Sequence, residues 1–227
     1  MMKYNLKPKL VAIDGPVAAG KSSVGLLLAK KLGYLFFDTG IMYRAFTWKA
    51  IKQDIPLKDG EALSRVAEAT RFGFVPSPEG YLSPRLDGED VSSDLMRPEV
   101  EEKVSTVSRV AGVRQAMVAA QRKLAERGEV VMAGRDIGTV VLPQAELKIF
   151  LTAPVKERAH RRYRELTERG KKVSYDTILA DLQKRDDDDC RRAVSPLKPA
   201  ADAVIIDTQD FALEQVVDKI YALAIKK

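Results

Sequence analysis

The stretch LVAIDGPVAAGKSSVGLLLAKKLGYLFFD, residues 10–38, contains two strand-like runs joined by a glycine-containing loop and a helical pattern. Its first run, LVAIDG at residues 10–15, is almost continuously apolar, which is typical of a strand buried on both faces. A helical periodicity follows and ends at Gly33, a residue type that commonly terminates helices. YLFFD, residues 34–38, then has the pattern of a second strand. The stretch therefore predicts a β–α–β unit.

Three later runs have the same character: EVVMAG at residues 129–134, LKIFLTA at residues 147–153 and AVIIDT at residues 203–208. Helical patterns separate most of the runs, and a last one covers residues 211–227. Strands that alternate with helices in this way form parallel sheets. We therefore expect an α/β fold with a five-stranded parallel sheet and helices on both faces.

The segment between these units, residues 61–128, has a different pattern. It begins with a helical periodicity, continues with FGFV and YLSPRLDGEDV, and ends with two helices from Arg97. The turn residues that interrupt its strand-like part are Pro76, Pro78, Gly80, Asp87 and Gly88. The segment predicts a small α+β insert, so that residues 1–60 and 129–227 form the core.

Composition limits the class of protein. The chain has 227 residues, 45% of them hydrophobic and 31% charged, which is enough for one substantial core. Its formal net charge of +6 favours an anionic partner: nucleic acid, membrane phosphates or a small phosphorylated substrate. One cysteine and one histidine exclude an intramolecular disulfide and a Cys/His zinc site. Because neither a run of about 18 apolar residues nor a signal-peptide layout occurs, we expect a cytoplasmic protein that does not bind membranes.

GPVAAGKS, residues 15–22, fits the pattern G-x-x-x-x-G-K-[ST] between a strand and a helix. In such a P-loop, backbone N–H groups bind phosphate, Lys21 reaches the β- and γ-phosphates and Ser22 ligates Mg²⁺. The alternative is a strand-to-helix turn without a ligand, but the flanking strand and helix patterns favour nucleotide binding. The residues expected to bind ATP are Gly15, Pro16, Val17, Ala18, Ala19, Gly20, Lys21, Ser22 and Ser23. Neither the Asn-Lys-x-Asp motif of GTPases nor the Ser-Gly-Gly-Gln signature of transporter ATPases occurs, which leaves small-molecule kinases.

FFDTGIMYRAFTW, residues 36–48, follows the second strand. Asp38, Thr39 and Arg44 are therefore expected at the carboxyl edge of the sheet, where doubly wound folds bind their ligands. The alternative is an ordinary helix start, with Asp38 or Thr39 as the N-cap and with Tyr43 and Arg44 on the helix surface. Taken alone, these residues favour neither interpretation.

Three further stretches complete a set of motifs: GRDIGTVVLP at residues 134–143, LKIFLTAPVKERAHRRYRE at residues 147–165 and RDDDDCRRAVSPL at residues 185–197. Together with IDGPVAAGKSS and DTGIMYR they resemble, in order and approximate spacing, the bacterial cytidylate kinase family over nearly the whole chain. The resemblance implies transfer of the γ-phosphoryl group of ATP, with Mg²⁺, to CMP or dCMP, giving ADP and CDP or dCDP. It also implies that the insert binds the nucleoside monophosphate and that an arginine-rich helical lid occupies about residues 155–195.

The resemblance assigns a set of side chains to CMP. They are Thr39, Tyr43, Arg44, Ser108, Arg114, Arg135, Asp136, Arg185 and Asp189. Within this set, Arg44 and Arg135 are assigned to the CMP phosphate, and Thr39 and Asp136 to the cytosine edge. The role of Asp136 makes physical sense, because a carboxylate accepts from the amino group of cytosine and repels the carbonyl that uracil presents there.

The chain departs from the family pattern at two places. Ser108 and Arg114, which the resemblance assigns to the ribose and the base, are separated by a shorter spacer than family members usually have. Ala133 precedes the G-R-D motif, where family members often have an acidic residue. A carboxylate near Mg²⁺ is therefore expected from elsewhere, from Asp14 or Asp136.

The stretch RDDDDCRR, residues 185–192, places four carboxylates side by side, which is costly unless most are paired. Arg185, Asp189 and Arg192 match the family pattern and would share one helical face at i, i+4 and i+7. Asp187 and Asp188 would lie on other faces, where Arg191 and solvent neutralise them. The alternatives are a solvated charge run and a dedicated metal site, which the arginines disfavour.

The chemistry implied by the resemblance needs no general base, because a phosphate-monoester oxygen is already anionic. We expect catalysis by positioning and charge neutralisation. The resemblance implies that Arg135, Arg185 and Arg192 do this together with Lys21 of the P-loop, so these four are the expected catalytic residues. Three further arginines of the lid region have no individual assignment and could equally form a solvated basic face: Arg158, Arg161 and Arg162.

Two other functions stay open on the sequence alone. The first is a P-loop kinase for another small acceptor, such as UMP, shikimate or dTMP. The second is an ATP-dependent nucleic-acid-binding protein that uses the basic surface. No stripe of aromatic and basic residues suited to base stacking occurs, so we expect no nucleic-acid partner. For a kinase of this family we expect a monomeric or weakly associated protein.

Overall fold

In the computed structural model, which describes residues 7–77 and 81–226, five parallel strands form the central sheet. They are β1 (Leu10–Asp14), β2 (Leu35–Asp38), β6 (Val130–Gly134), β7 (Leu147–Thr152) and β8 (Val204–Asp207). Their order in the sheet is β2-β6-β1-β7-β8. The central strands β1 and β6 are buried on both faces, as their continuous apolar runs predict. The expected five-stranded parallel sheet is confirmed.

Helices cover both faces of this sheet, which also confirms the expectation. On one face, α1 (Lys21–Leu32) and α8 (Leu213–Lys226) pack against the apolar side chains of β1 and β7. On the other face lies α2 (Thr39–Lys52), whose Phe46 is fully buried. None of the helices in the described part of the chain combines the length and the apolarity needed to span a bilayer.

The insert contains its own small sheet. Its elements are α3 (Gly60–Ala69), β3 (Phe72–Pro76), β4 (Leu82–Leu86), β5 (Glu89–Asp90), a 3₁₀ turn (Ser92–Asp94), α4 (Pro98–Val107) and α5 (Ala111–Ala125). The strands are antiparallel in the order β3-β4-β5, and Asp87 and Gly88 form the tight turn between β4 and β5 with positive φ. Pro78 and Gly80 lie outside the described residues. Where the core ends and the insert begins stays a prediction.

Two helices follow the fourth strand of the core, where the lid was expected. They are α6 (Val155–Glu168) and α7 (Tyr175–Arg191). Ala159 and Leu166 of α6 pack against Ile178 and Leu182 of α7 in a small apolar cluster of their own. The lid helices are thus held together separately from the two main cores.

The register of the sheet determines which loops meet. Asp14, the last residue of β1, is paired with Gly134 at the end of β6. Asp38 at the end of β2 pairs with Ala133 of the same strand. The loop after β1, the helix start after β2 and the turn after β6 therefore emerge side by side at the carboxyl edge of the sheet.

The end of α7 differs from the expectation. The helix stops at Arg191, and Arg192 has an extended backbone (φ −63°, ψ 141°), so Arg192 does not share a helical face with Arg185 and Asp189. The turn that follows is closed by a hydrogen bond from the Leu197 N–H to the Asp189 carbonyl oxygen at 2.8 Å. The i, i+4, i+7 interpretation of these three residues is therefore wrong, because the helix ends before the last of them.

Candidate active site

The phosphate loop joins β1 to α1 through backbone conformations that restrict its residues. Gly15 has a φ of 149°, and a Cβ at this position would lie 2.1 Å from the carbonyl oxygen of Leu151. Gly20 (φ 91°) and Ala18 (φ 58°) are left-handed. The loop then leads directly into the N-terminus of α1, where free N–H groups and the helix dipole attract anions. This local geometry suits a phosphate group.

Lys21, the first residue of α1, lies back over the loop. Its Nζ donates a hydrogen bond to the carbonyl oxygen of Pro16 at 2.6 Å, and the residue is 8% exposed. Burial holds the pKa of Lys21 below its ordinary value, and the positive charge of Arg135 lowers it further. A phosphate in the loop would act in the opposite direction, because a nearby anion favours the ammonium form.

Ser22 and Asp38 offer oxygen atoms beside the loop. The Ser22 hydroxyl donates to Asp38 Oδ2 at 2.5 Å, while Asp38 Oδ1 accepts the N–H of Gly40 and thereby caps α2. Magnesium prefers hard oxygen ligands and keeps several of its waters. A hydroxyl and a carboxylate in contact at the mouth of a phosphate loop fit such an ion.

Thr39 connects the start of α2 to the end of β6. Its hydroxyl is buried and donates to the carbonyl oxygen of Ala133 at 2.9 Å, and a Cβ on Gly134 would lie 2.5 Å from that hydroxyl oxygen. Gly134 therefore permits the close approach of the two segments. Thr39 retains its lone pairs for a ligand.

Arg114 and Asp136 form a buried ion pair between the insert and the core. Arg114 Nη2 donates to Asp136 Oδ2 at 2.5 Å, and the two residues are 3% and 5% exposed. The Arg114 guanidinium also lies over the ring of Tyr43, 5.5 Å from its centroid. Burial alone would lower the pKa of Arg114, but the negative charge of Asp136 helps to hold it above its ordinary value. Burial raises the pKa of Tyr43 to about 12, so its hydroxyl stays neutral.

Asp189 lies between two arginines. Its Oδ2 accepts from Arg135 Nε at 2.9 Å, and its Oδ1 accepts from Arg192 Nη1 at 3.3 Å. Burial alone would raise the pKa of Asp189, but the charges of Arg135 and Arg192 outweigh it and hold the pKa below its ordinary value. Arg185, one turn earlier on α7, has its pKa lowered to about 10 by burial and by Arg135. This crowding of positive charge around one carboxylate suits an additional anion.

Several arginine donors in this region are buried without a hydrogen-bond partner in the part of the chain that the structure describes. They are Arg44 Nε, Arg114 Nε and Arg192 Nη2. An unpaired buried donor is costly, and a bound nucleotide offers the phosphate and base oxygens that satisfy it. The structure thus brings most of the residues assigned to CMP to the same edge of the sheet as the phosphate loop.

Asp186, the first aspartate of the run, pairs with the lid residue Arg158. Arg158 Nη2 donates to Asp186 Oδ2 at 2.5 Å, and Arg158 Nη1 donates to the carbonyl oxygen of Val17 at 3.1 Å. Arg158 is 4% exposed, so it does not belong to a solvated basic face. The pair ties α7 and α6 to the phosphate loop.

Asp187 and Asp188 have separate environments. Asp187 is exposed and lies 4.0 Å from Arg191, as expected. Asp188 forms an ion pair with Arg109 of the insert, so the expectation that it is neutralised by solvent and a neighbouring arginine is wrong; the partner comes from a segment 79 positions away. Within residues 7–77 and 81–226 no group of three or more acidic, histidine or cysteine side chains is arranged to hold a metal ion.

The other two lid arginines are also engaged. Arg161 donates to the hydroxyl and the carbonyl oxygen of Thr208 at 2.8 and 2.7 Å. Arg162 Nη2 donates to Glu101 of α4 at 2.7 Å, which is a second ion pair between the lid and the insert. Arg161 therefore joins the lid to the end of β8, and Arg162 joins it to the insert.

Ser108 lies just after α4 and contributes its backbone to the site. Its carbonyl oxygen accepts from Arg114 Nη1 at 3.1 Å, while its hydroxyl donates to the carbonyl oxygen of Ser105 at 3.0 Å. The short spacer therefore does not keep Arg114 away from the site. The ribose role assigned to Ser108 stays a prediction.

A P-loop at the carboxyl edge of a parallel sheet, together with a cluster of arginines from the insert, the core and the lid, defines the class of P-loop kinases. The profile of the family described as Cytidylate kinase matches residues 11–226. A cytidylate kinase from Pelotomaculum thermopropionicum is 50% identical over 212 residues, which are 93% of this chain and 94% of that protein. The chain belongs to the cytidylate kinase family and is an enzyme of that family, which confirms the resemblance found in the sequence.

Two other proteins extend this comparison. A cytidylate kinase from Caldanaerobacter subterraneus subsp. tengcongensis is 48% identical over 217 residues, which are 96% of this chain and 94% of that protein. A solved structure of an uncharacterized protein from Eubacterium ventriosum superposes with a TM-score of 0.50 at 14% identity, covering 96% of this chain and 99% of that protein. That second likeness concerns the fold alone.

Sequence reasoning missed some residues of this region. The sequence predicts Asp38 only as a helix cap or an edge residue and assigns Arg158 no individual role. It offers Asp14 only as a carboxylate near Mg²⁺, whereas Asp14 accepts two backbone N–H groups from the turn after Asp136. The position of Asp38 directly after a strand was a usable signal. The partners of Arg158 and Asp14 depend on the packing of distant segments and left no local pattern.

Proposed function

We propose that the enzyme transfers the γ-phosphoryl group of ATP to CMP or dCMP, giving ADP and CDP or dCDP. The observation that carries the proposal is the buried Asp136 carboxylate, which Arg114 holds at the same sheet edge as the phosphate loop. A fixed carboxylate accepts from the amino group of cytosine and rejects the carbonyl of uracil. A cytosine-reading group thus lies next to a loop that binds triphosphate.

The acceptor phosphate fits the arginine cluster. Arg44 has an unsatisfied buried donor, and Arg135 and Arg192 share a single carboxylate, Asp189. A CMP phosphate would complete the charge balance of these arginines, and their planar guanidinium groups can bind its oxygens bidentately. Asp189 and Arg185 would then orient the sugar and phosphate side of CMP.

The reaction needs no general base, because the attacking phosphate oxygen is already anionic. The expected work of the protein is to hold two polyanions in line and to neutralise charge on the transferred group. Lys21 would do this from the phosphate loop, and Arg135, Arg185 and Arg192 from the acceptor and lid side. Mg²⁺ would be held by Ser22 and Asp38 and would supply further charge neutralisation on the ATP phosphates.

The biological setting belongs to the same proposal. An enzyme that phosphorylates CMP acts in pyrimidine nucleotide metabolism, where its substrates are small soluble nucleotides. We therefore propose a cytoplasmic monomer that binds neither nucleic acid nor membranes. Much of the basic excess is already paired with carboxylates or directed into the nucleotide site, as for Arg135 and Arg158.

A coupled assay of ADP release tests the proposal. With MgATP as donor, we expect kcat/KM for CMP and dCMP to exceed that for UMP, dTMP and shikimate by at least about 100-fold, the scale of about 3 kcal/mol. Omission of Mg²⁺ should abolish turnover. Preference for UMP or shikimate would replace the proposed acceptor. Tight, steeply salt-dependent binding of single-stranded DNA would support the nucleic-acid function instead.

A further inference from the structure

We infer that Asp14 is a positioning residue of the acceptor site, because its carboxylate holds the backbone turn that follows Arg135 and Asp136. The inference rests on the proposed function, since it takes that turn to bind CMP. Asp14 is the last residue of β1 and directly precedes the phosphate loop. It would therefore fix the acceptor turn relative to the donor loop.

The contacts of Asp14 are made with consecutive backbone groups. Its Oδ1 accepts the N–H of Ile137 at 2.7 Å, and its Oδ2 accepts the N–H of Gly138 at 2.7 Å. These are the first two N–H groups of a π-helical turn (Ile137–Val141), which lack partners within the turn itself. Such groups are usually capped by the residue just before the turn. Here that residue is Asp136, whose side chain is bound to Arg114. The carboxylate of Asp14, which comes from β1, therefore caps the two N–H groups instead.

The turn is closely fitted to this carboxylate. A Cβ on Gly138 would lie 3.3 Å from Asp14 Oδ2 and 3.2 Å from Cδ of Lys148, so even one methyl group would crowd the contact. The turn is closed on its other side by the Asp136 carbonyl oxygen, which accepts the N–H of Val140 at 2.8 Å. The backbone of Asp136 is therefore held from both sides.

The electrostatic setting indicates more than a packing role. Burial raises the pKa of Asp14 to about 6 despite its two N–H partners; Asp136 also raises it, and Lys21 lowers it. Lys148 of β7 also lies beside the turn, but its ammonium group donates hydrogen bonds to Asp202 and to the carbonyl oxygen of Pro143. Because the folded pKa lies above the ordinary value of Asp, ionisation of Asp14 lowers stability as the pH rises from about 4 to about 6. A carboxylate that costs stability when ionised is typical of a functional site.

The test compares Asp14→Asn with Glu146→Gln. Glu146 also accepts a backbone N–H, that of Leu10, but at the opposite end of β1. Asn keeps one acceptor and places an NH₂ group against the second N–H. We expect Asp14→Asn to raise KM for CMP about tenfold, consistent with the loss of one buried hydrogen bond, and to lower the ratio of CMP to UMP use. KM for ATP should change less than about twofold, and Glu146→Gln should behave as the parent.

The pH profile separates this role from a structural one. Protonated Asp14 resembles Asn, so the advantage of the parent over Asp14→Asn in kcat/KM for CMP should shrink from about pH 7.5 to about pH 5.5. Titration of the CMP phosphate affects both proteins equally and cancels in the ratio. A ratio that does not depend on pH would overturn the inference. An equal rise in KM for ATP, or a raised Mg²⁺ requirement, would also overturn it and place Asp14 in the donor site.

Amide hydrogen exchange provides a readout that does not depend on the substrate. In Asp14→Asn the N–H groups of Ile137 and Gly138 should exchange at least about tenfold faster than in the parent, while those of β7 stay unchanged. If they do not, the inference fails even where CMP is the acceptor. If they do but the parent does not phosphorylate CMP, the proposed function alone fails. Should Asp14→Asn not fold, Gly138→Ala, which crowds the same contact, is expected to give the same CMP-selective loss, and its absence would overturn the inference.

Discussion

The phosphate loop is one contiguous segment, residues 15–23, whereas the acceptor site is assembled from separate segments between Thr39 and Arg192. The loop owes its form to backbone geometry: Gly15 and Gly20 adopt conformations that other residues would strain, and the helix N-terminus follows directly. The acceptor site owes its form to side chains that pair across segments. The two halves of the same active site are therefore specified at different ranges along the chain.

The two halves also balance their charges in different ways. Backbone N–H groups of the loop need no counter-charge, and Lys21 rests on a loop carbonyl oxygen. The acceptor arginines would repel one another, and carboxylates hold them in place: Asp189 between Arg135 and Arg192, and Asp136 against Arg114. Substitutions in the loop should consequently lower kcat. Substitutions in the acceptor site should change both the binding of CMP and the free energy of unfolding.

Lys21→Ala should have the largest effect. It removes the cation that meets developing charge on the transferred group, and we expect kcat to fall at least about 10³-fold. The fold should persist, because the buried ammonium has a lowered pKa and its charge costs stability at neutral pH. Steady-state kinetics and thermal unfolding measure the two effects. Activity within about tenfold of the parent would contradict the P-loop role.

Asp136→Asn should affect stability and specificity together. Replacing the carboxylate leaves the buried Arg114 without its ion-pair partner, and we expect a loss of about 2–4 kcal/mol in the free energy of unfolding. The amide can also donate to the uracil carbonyl, so the ratio of kcat/KM for CMP over UMP should fall. Denaturant unfolding and kinetics with both substrates test this. An unchanged ratio would rule out a base-reading role for Asp136.

Most of the fold was predictable because its signals are local. The buried runs of β1, β6 and β7 and the phosphate-loop pattern each lie within a few consecutive residues. The end of α7 was not predictable, because it depends on a hydrogen bond from Leu197 to Asp189. The partner of Asp188 was missed for the same reason, since Arg109 comes from the insert. Pairings between distant segments leave no trace in residue periodicity.

Asp189→Ala and Asp187→Ala separate the members of the aspartate run. Asp189 lies between two arginines. We expect its loss to lower kcat/KM for CMP by a factor that corresponds to about 1.5–3 kcal/mol of transition-state stabilisation. Asp187 is exposed and lies 4.0 Å from Arg191, so Asp187→Ala should be nearly silent. Equal losses in the two variants would favour a charge run or metal site over the assigned pairing.

Glu101→Gln should have a smaller effect than Asp189→Ala, and it tests whether the insert and the lid act together. Glu101 accepts from Arg162 at 2.7 Å and lies 3.8 Å from Lys171, and its side chain is 25% exposed. Partly exposed pairs contribute about 0.2–1 kcal/mol, so KM should rise by less than about fivefold. Because the pair joins the insert, which is assigned to CMP, to the lid, whose Arg158 contacts the phosphate loop, both KM values should rise equally.

Salt dependence sharpens this last prediction. As the ionic strength increases, the KM values of the parent should rise toward those of Glu101→Gln, because salt screens exposed ion pairs. The KM values of the variant should change little. Glu102→Gln, on the same helix at an exposed position, is the matched control and should follow the parent. A change confined to the KM of one substrate would mean that Glu101 acts within one half of the site. In that case the ion pairs between lid and insert would not couple the two halves.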